Sequence, residues 1–285
     1  MIVSELHALG AAALTAGDGL PDPRREARWL LACALGRPEA WLLAHAEEPV
    51  AQPVEVLFRA WLARRAAGEP AHYIVGSCPF WGRPFAVTPA VLIPRPETEL
   101  IVECALIVPK PDRPRVLDVG TGSGCLAVTL ALELSGSVVT ATDVSPEAIS
   151  VARRNAQALG ARVRFSAGDL AAHVRGQFDL VAANLPYVPE REIPGLSVEI
   201  RVHEPHLALD GGEDGADLLR SFVGDLPRLL APGGHALLEM GPRQRAGLQA
   251  AIAASGLAEV HRGLDHAGIE RVLVLRASER ATNAS

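Results

Sequence analysis

The chain has 285 residues, about half of them apolar (49%), and a formal net charge of −6. That is enough for one large domain and a small one with a real core, and the acidic balance argues against tight non-specific binding to a polyanion. Cys33, Cys78, Cys104 and Cys125 are widely spaced, with no Cys-x-x-Cys pair. This leaves no structural zinc site or disulfide scaffold to expect, and fits reduced thiols in a cytoplasmic compartment. With charge at Glu5 and His7, and no uncharged apolar run near the roughly 18 residues of a span, neither a signal peptide nor a membrane helix is expected.

The first 70 residues read as helices over 3–16, 22–35, 38–46 and 53–67. Asp22 followed by Pro23 has the form of a cap followed by proline at the first helical position. Gly17, Gly36 and Gly68 fall where helices stop. Leu30, Leu31, Ala34 and Leu35, with Trp29, Trp41 and Trp61, supply an apolar side for a small bundle. Arg24, Arg25, Arg28, Arg64 and Arg65 read as solvated helix faces.

From Tyr73 the texture turns to glycine, proline and aromatics, which predicts a hairpin around Gly82 joining two domains. Arg95 then sits between Pro94 and Pro96 in a stiff loop ahead of a helix over 97–108, which Glu97 or Thr98 would cap.

Beyond Arg115 the pattern is strand, helix, strand. A strand over 115–119 runs into Gly120-Thr121-Gly122-Ser123-Gly124 and a helix over 125–134. Glycines let a ligand approach the backbone, and the helix start offers free N–H groups. The next strand ends at Asp143, some 20 positions on, where an acid suits a ribose diol. The Gly-x-Gly-x-Gly spacing differs from the Gly-x-Gly-x-x-Gly of a pyrophosphate cradle, which favours S-adenosylmethionine over NAD. A third strand ends near Asp169 and Leu170, placed to meet the adenine amine and ring.

A short apolar strand over 179–183 then delivers Asn184 to the carboxyl end of the sheet, followed by Leu185, Pro186 and Tyr187. The Asn184 amide oxygen and the Leu185 carbonyl are two acceptors, Pro186 holds the latter in place, and Tyr187 offers a flat face. That set suits a planar –NH2 group, either a side-chain amide or a nucleobase amine. Read by itself, the same stretch also fits a plain turn after a strand. A long loop to about Asp210, a helix over 215–230, a strand over 235–239, a helix over 243–255 and two closing strands over 258–262 and 271–276 complete a parallel sheet ended by an antiparallel pair.

Taken together, Leu92-Ile-Pro-Arg-Pro-Glu97-Thr-Glu99, Leu117-Asp-Val-Gly-Thr-Gly-Ser-Gly124, Asn184-Leu-Pro-Tyr187, Glu204-Pro205 with Leu207-Ala-Leu209, and 265–271 resemble the PrmC/HemK family, the release factor glutamine methyltransferases. The resemblance covers nearly the whole chain. It implies a class I S-adenosylmethionine-dependent methyltransferase with a Rossmann-like seven-stranded sheet and a small N-terminal all-helical domain. The implied division is a helical substrate-recognition domain over 1–72, a hairpin linker over 73–90 and a methyltransferase domain over 91–285. The implied reaction is N5-methylation of the glutamine in the Gly-Gly-Gln motif of class-1 peptide chain release factors. Carried over by position, Gly120, Thr121, Gly122, Ser123, Gly124, Asp143, Asp169, Leu170 and Asn184 would hold S-adenosylmethionine. Asn184, Leu185, Pro186, Tyr187 and Arg95 would hold the glutamine, the first four as the catalytic tetrapeptide. The family's usual proline is Leu185 here, and its frequent tryptophan is Leu170. A release factor is the expected partner of a monomeric, cytoplasmic enzyme with no metal, no direct nucleic-acid contact and no membrane. Methylation of an exocyclic amine of adenine or guanine in nucleic acid is the competing reaction, and a non-catalytic nucleoside-binding protein is the reading from a different class.

Overall fold

The computed structural model describes residues 1–15 and 21–279. Packing divides the chain into two units, Met1–Ser77 with Ser197–His203, and Cys78–Leu196 with Glu204–Ser285.

The first unit contains helices Val3–Thr15, Pro23–Leu35, Glu39–Ala44, Gln52–Ala66, Ala71–Val75 and Val198–His203. Asp22 caps the second by accepting the Arg25 N–H, with Pro23 at the first position, and Gly36 closes it at φ 62°. The stop expected at Gly17 lies outside the described residues. Leu6, Leu14, Leu30, Leu31 and Phe58 form the fully buried centre, and the three tryptophans lie partly buried against it. Arg65 departs from the expected solvated face: it is 6% exposed and pairs with Glu26 (2.7 Å) and Glu199 (2.9 Å) while donating to the Glu69 carbonyl. Glu199 is 134 positions away in sequence, so no helical spacing announces this pair.

The hairpin consists of β1 (Ser77–Phe80) and β2 (Arg83–Ala86). Trp81 (φ 50°) and Gly82 (φ 69°) both adopt positive φ at the turn, the tight reversal that right-twisted strands favour. It starts later than the texture change at Tyr73, because Pro70 and Gly76 bound a short helix, Ala71–Val75. Phe80 and Phe85 belong to the core of the second unit.

That unit is built on β3 (Arg115–Val119), β4 (Val138–Asp143), β5 (Val163–Ala167), β6 (Phe178–Ala183), β7 (Leu230–Glu239), β8 (Ala258–Leu264) and β9 (Glu270–Arg276). Their order is β5-β4-β3-β6-β7-β9-β8; the first five run parallel, and β9 pairs antiparallel with β7 and β8. This is the predicted seven-stranded sheet. One face packs Val119, Val181 and Leu238 against helices Asp217–Leu229 and Arg245–Ser255; the other packs Val116, Leu180 and Leu237 against Glu99–Ile107 and Cys125–Glu133. Alternate residues of one strand thus enter different cores, giving three layers. The expected long loop up to Asp210 instead folds into a 3₁₀ turn (Glu190–Gly195), the helix Val198–His203 and a second 3₁₀ turn (His206–Ala208). Pro194 and Pro205 chop the segment into pieces too short to show a period.

Buried Asn155, on the helix Pro146–Leu159, ties the hairpin to the glycine turn. Its Oδ1 accepts the Ala86 N–H (2.8 Å), and its Nδ2 donates to the carbonyls of Ala86 (3.0 Å) and Ser123 (2.8 Å). Replacing it strands three backbone groups, each costing about 1–3 kcal/mol when buried without a partner. Urea denaturation of Asn155→Leu is therefore expected to show a midpoint well below wild type, and Asn155→Asp also, because a carboxylate keeps the Ala86 N–H contact but sets an acceptor against the Ala86 and Ser123 carbonyls.

Candidate active site at the sheet switch point

Between β3 and β6 the chain order reverses, and in open α/β sheets ligands bind at such a point beyond the carboxyl ends of the strands. Val119 pairs with Ala183, so Gly120 and Asn184 leave the sheet side by side. A cavity of about 380 Å³ opens there, lined by Gly120 to Ser123, Asp143, Asp169 and Leu170, Asn184 to Pro186, and Arg95 with Thr98. Such a volume lies in the range of small-molecule sites, roughly 300–1,000 Å³.

The glycine turn is held from beneath. Gly120 and Thr121 N–H groups both donate to the Thr142 carbonyl at 2.9 Å. Buried Asp118 accepts from the Thr121 hydroxyl (2.6 Å) and the Ala127 N–H (3.1 Å), and burial pushes its carboxyl up to about 7. Gly120, Gly122 and Gly124 all adopt positive φ. A Cβ on Gly124 would meet that of Ala152 at 2.9 Å, whereas one on Gly122 would meet nothing within 4 Å. Gly124 is thus required by packing, and Gly122 keeps an open approach for a ligand.

Asp143 closes β4 and accepts the Gly122 N–H on Oδ2 (2.8 Å) and the Ser145 N–H on Oδ1 (2.9 Å). Each oxygen keeps a further lone pair, and burial raises its pKa above the ordinary value. Leu170 adopts φ 42°, unusual for a branched side chain, and its carbonyl accepts the Thr142 hydroxyl at 2.8 Å. Exposed Asp169 stands beside it on the cavity wall.

On the opposite wall, Asn184 donates through Nδ2 to the Thr98 hydroxyl at 3.0 Å, and among the described residues its Oδ1 has no partner. Thr98 therefore makes no helix cap; a 3₁₀ turn, Pro96–Thr98, precedes the helix Glu99–Ile107. Leu185 is buried, 3.1 Å from where a Gly120 Cβ would be, so leucine here fills core beneath the glycine turn. Arg95 is held at the cavity by buried Glu204 (2.6 Å), which also accepts the Ile93 N–H.

Tyr187 is not part of the cavity lining. Its hydroxyl donates to Glu239 at 3.3 Å, its carbonyl accepts from Gln244 Nε2 at 2.7 Å, and its ring borders Gly241. Burial and then the Glu239 charge raise the phenol pKa. Glu239, at the end of β7, is 1% exposed and pushed up to about 7 by burial; its Oε1 accepts the Tyr187 hydroxyl, and among the described residues its buried Oε2 has no hydrogen-bond partner. Sequence reasoning singled out neither Glu204 nor Glu239 as a site residue, nor the lining residues Val91, Ser145 and Leu218. Ser145 was the most readable of these, two positions past Asp143; the others reach the cavity only through the fold.

Two family models match the chain, the PrmC N-terminal domain over residues 5–76 and the methyltransferase small domain over 97–212. The chain is 46% identical to a release factor glutamine methyltransferase from Bordetella pertussis, covering 91% of this chain and 96% of the relative. It is 41% identical to one from Geobacter sulfurreducens, covering 90% and 91%. Among solved structures, a methyltransferase from Pyrococcus furiosus superposes with a TM-score of 0.54 at 19% identity, over 77% of this chain and 98% of that one, which shows the shared fold. At these identities and coverages the conclusion is plain: the chain belongs to the family of release factor glutamine methyltransferases.

Proposed function

We propose that this protein methylates the side-chain amide nitrogen (N5) of the glutamine in the Gly-Gly-Gln motif of class-1 peptide chain release factors, using S-adenosylmethionine. The observation that carries this reading is Asn184 on the cavity wall: one N–H of its amide goes to the Thr98 hydroxyl, and among the described residues its Oδ1 has no partner, so it can accept from a ligand beside the glycine turn. Two acceptors, Asn184 Oδ1 and the Leu185 carbonyl, beside a cavity of small-molecule size fit a substrate that offers two N–H donors.

The residues present fit S-adenosylmethionine. The open side of Gly122 admits its methionine part next to Gly120 to Gly124, the spare lone pairs of Asp143 suit the ribose hydroxyls, and Asp169 with Leu170 suits the adenine amine and ring face. Bound there, S-adenosylmethionine supplies an electrophilic sulfonium methyl whose leaving group is a neutral thioether.

The chain's own residues solve the other half of the problem. An amide nitrogen is a poor nucleophile because its lone pair is delocalised into the carbonyl. Asn184 Oδ1 and the Leu185 carbonyl take its two N–H groups and turn the lone pair toward the methyl. Pro186 stiffens the loop that carries them, Arg95 on its Glu204 anchor meets the peptide, and Tyr187 supports the tetrapeptide from behind. A donor held there would give its methyl to that nitrogen with the S–C electron pair staying on sulfur, and one amide proton would leave to water. Positioning supplies the rate, and well-oriented reactions gain about 7–11 kcal/mol this way.

The partner is the release factor protein, met by a monomeric, cytoplasmic enzyme with no nucleic acid in the complex. The helical segment 1–72 offers that partner a second contact. Leu43 and Val56 are exposed there at 74% and 60%.

Mass spectrometry of a release factor incubated with enzyme and donor is expected to show one added methyl on the Gly-Gly-Gln glutamine, and none on ribosomal RNA or DNA offered separately; methyl on the nucleic acid alone would overturn the reading. Asn184→Ala is expected to bind donor as wild type by calorimetry and to lose turnover on the order of 100-fold. Leu43→Asp combined with Val56→Asp is expected to raise KM for intact release factor about fivefold or more while leaving a Gly-Gly-Gln peptide unaffected; equal effects on both would remove the second contact.

A further inference from the structure

The two outer parallel strands, β4 and β5, feed only one of the two cores. Val139 and Ala141, with Val163 and Phe165 against them, belong to the core that holds Glu99–Ile107 and Cys125–Glu133. Among the described residues, neither strand contributes to the core of Asp217–Leu229 and Arg245–Ser255. Side chains alternate along a strand, so Val138, Thr140, Arg164 and Ser166 face that second side, where the covering chain is the irregular segment 168–177 that joins β5 to β6. A cavity of about 240 Å³ is lined by this sheet face and that segment. Its polar walls are Arg115, Arg164, Arg175, His173, Thr140 and Ser166; the rest of the lining is apolar, and no carboxylate belongs to it. It shares no lining residue with the cavity at the glycine turn. Arg115 and Val138 open their strands, so it lies toward the amino ends of the sheet, away from Gly120 and Asn184.

The walls are held in place without neutralising the arginines. Among the described residues none of the three forms an ion pair, whereas other arginines of the same unit do, such as Arg83 with Glu133 and Arg228 with Asp225. The Arg115 guanidinium carbon stands 5.2 Å from the Phe178 ring centroid, and its Nη2 is 2.8 Å from where a Gly176 Cβ would be. Asp179 accepts the Arg115 backbone N–H on Oδ2 at 2.7 Å, which fixes the strand end and not the guanidinium. His173 packs against bare Gly168, whose Cβ would fall 2.3 Å from the ring, and its Nε2 shares a hydrogen bond with the Ser166 hydroxyl at 2.9 Å. The segment that carries His173 and Arg175 is anchored in turn: Arg228 donates to the carbonyls of Ala171 (2.9 Å) and Val174 (3.4 Å), and both of those residues are buried in the core.

We propose that this cavity is an anion site for phosphoryl groups, separate from the S-adenosylmethionine cavity and independent of the methyl-transfer reading. Three guanidiniums around one hollow repel one another, and with no acid of the chain in the lining the compensating charge comes from a ligand. Each guanidinium presents parallel N–H donors that match an edge of a phosphate, and Thr140 and Ser166 add hydroxyls. A lone carboxylate brings one negative charge against three positive ones. Phosphate or pyrophosphate brings two or more, with oxygens on every side to meet donors arriving from β3, β4, β5 and the segment after it. The single aromatic ring in the lining, Phe178, is 3% exposed and already faces Arg115, so no flat surface is left on which a base could stack. The group recognised is therefore the phosphoryl group itself, whether free or at the end of a nucleotide.

The experiment is calorimetric titration of the full chain with inorganic pyrophosphate, with ADP and with acetate, each with and without saturating S-adenosylhomocysteine, at low and at high salt. Pyrophosphate is expected to bind wild type at one site, to bind equally well when S-adenosylhomocysteine is present, and to weaken as salt is added; acetate is expected to give no binding. Arg164→Gln and Arg175→Gln remove exposed side chains with no ion pair among the described residues, and each is expected to weaken pyrophosphate about tenfold, the scale of a hydrogen bond to a charged group. Arg262→Gln, on β8 at the far edge of the sheet, is expected to leave the affinity unchanged. ADP binding as tightly as pyrophosphate or tighter assigns the phosphoryl group to a nucleotide, and pyrophosphate binding alone assigns it to the free anion; both uphold the site. No binding of either phosphate compound, competition by S-adenosylhomocysteine, full affinity in both pocket variants, or an equal loss in Arg262→Gln would overturn it. A protein that binds pyrophosphate in this way and methylates no glutamine would keep the site and lose the function proposed above, so the two readings fail separately. If one pocket variant does not fold, the other decides.

Discussion

The parallel pairing of β3 with β6 is the constraint from which the site follows. Its register puts Val119 beside Ala183, both with no exposed surface, and so fixes two chain exits within one strand spacing of each other, about 4.8 Å. One exit is the glycine turn and the other is Asn184. Leu185 then sits against the bare face of Gly120, so the two halves of the site share a packing contact as well as a ladder. Slipping the register by one residue would turn Val119 and Ala183 to the wrong layers and pull the two exits apart, which ties the geometry of the site to the burial of the sheet.

The electrostatic character of the cleft has the same logic. Its buried and half-buried acids are held mainly by donors from backbone and hydroxyl groups: Asp118 by Thr121 and Ala127, Asp143 by Gly122 and Ser145, Glu239 by Tyr187. Arg95 with Glu204 is the ion pair at the wall, and it keeps the guanidinium at the cavity rim. A surface made of acceptors complements reactants that bring a positive sulfonium and amide N–H donors. Desolvation strengthens each of these contacts while raising the proton affinity of the acids that make them.

Much of this was legible in the sequence because it is local. Gly120 to Gly124 follow their strand directly, Asp143 ends the next strand, and the run Asn184 to Tyr187 follows an apolar segment of strand length, so spacing alone placed them on one sheet edge. What escaped is non-local. Thr98 has the form of a helix cap, yet its partner Asn184 is 86 positions away. Arg95 meets Glu204 across 109 positions, and Asn155 meets Ala86 across 69. Arg65 looked like one more helical arginine until the fold closed over it. The helix Val198–His203 was hidden because proline-bounded pieces of six residues are too short to reveal a period. Tyr187 was expected to offer its face to the substrate, and the fold uses its hydroxyl and carbonyl as struts instead. In each case the residue type was readable and the partner was not.

The most direct measurement of the central claim is a crystal structure of the protein with S-adenosylhomocysteine and a Gly-Gly-Gln peptide. The account predicts the glutamine amide nitrogen within hydrogen-bond reach, about 2.6–3.2 Å, of both Asn184 Oδ1 and the Leu185 carbonyl, with its free face toward the sulfur. A glutamine bound elsewhere, or an Asn184 amide turned so that Nδ2 meets the substrate, would contradict it.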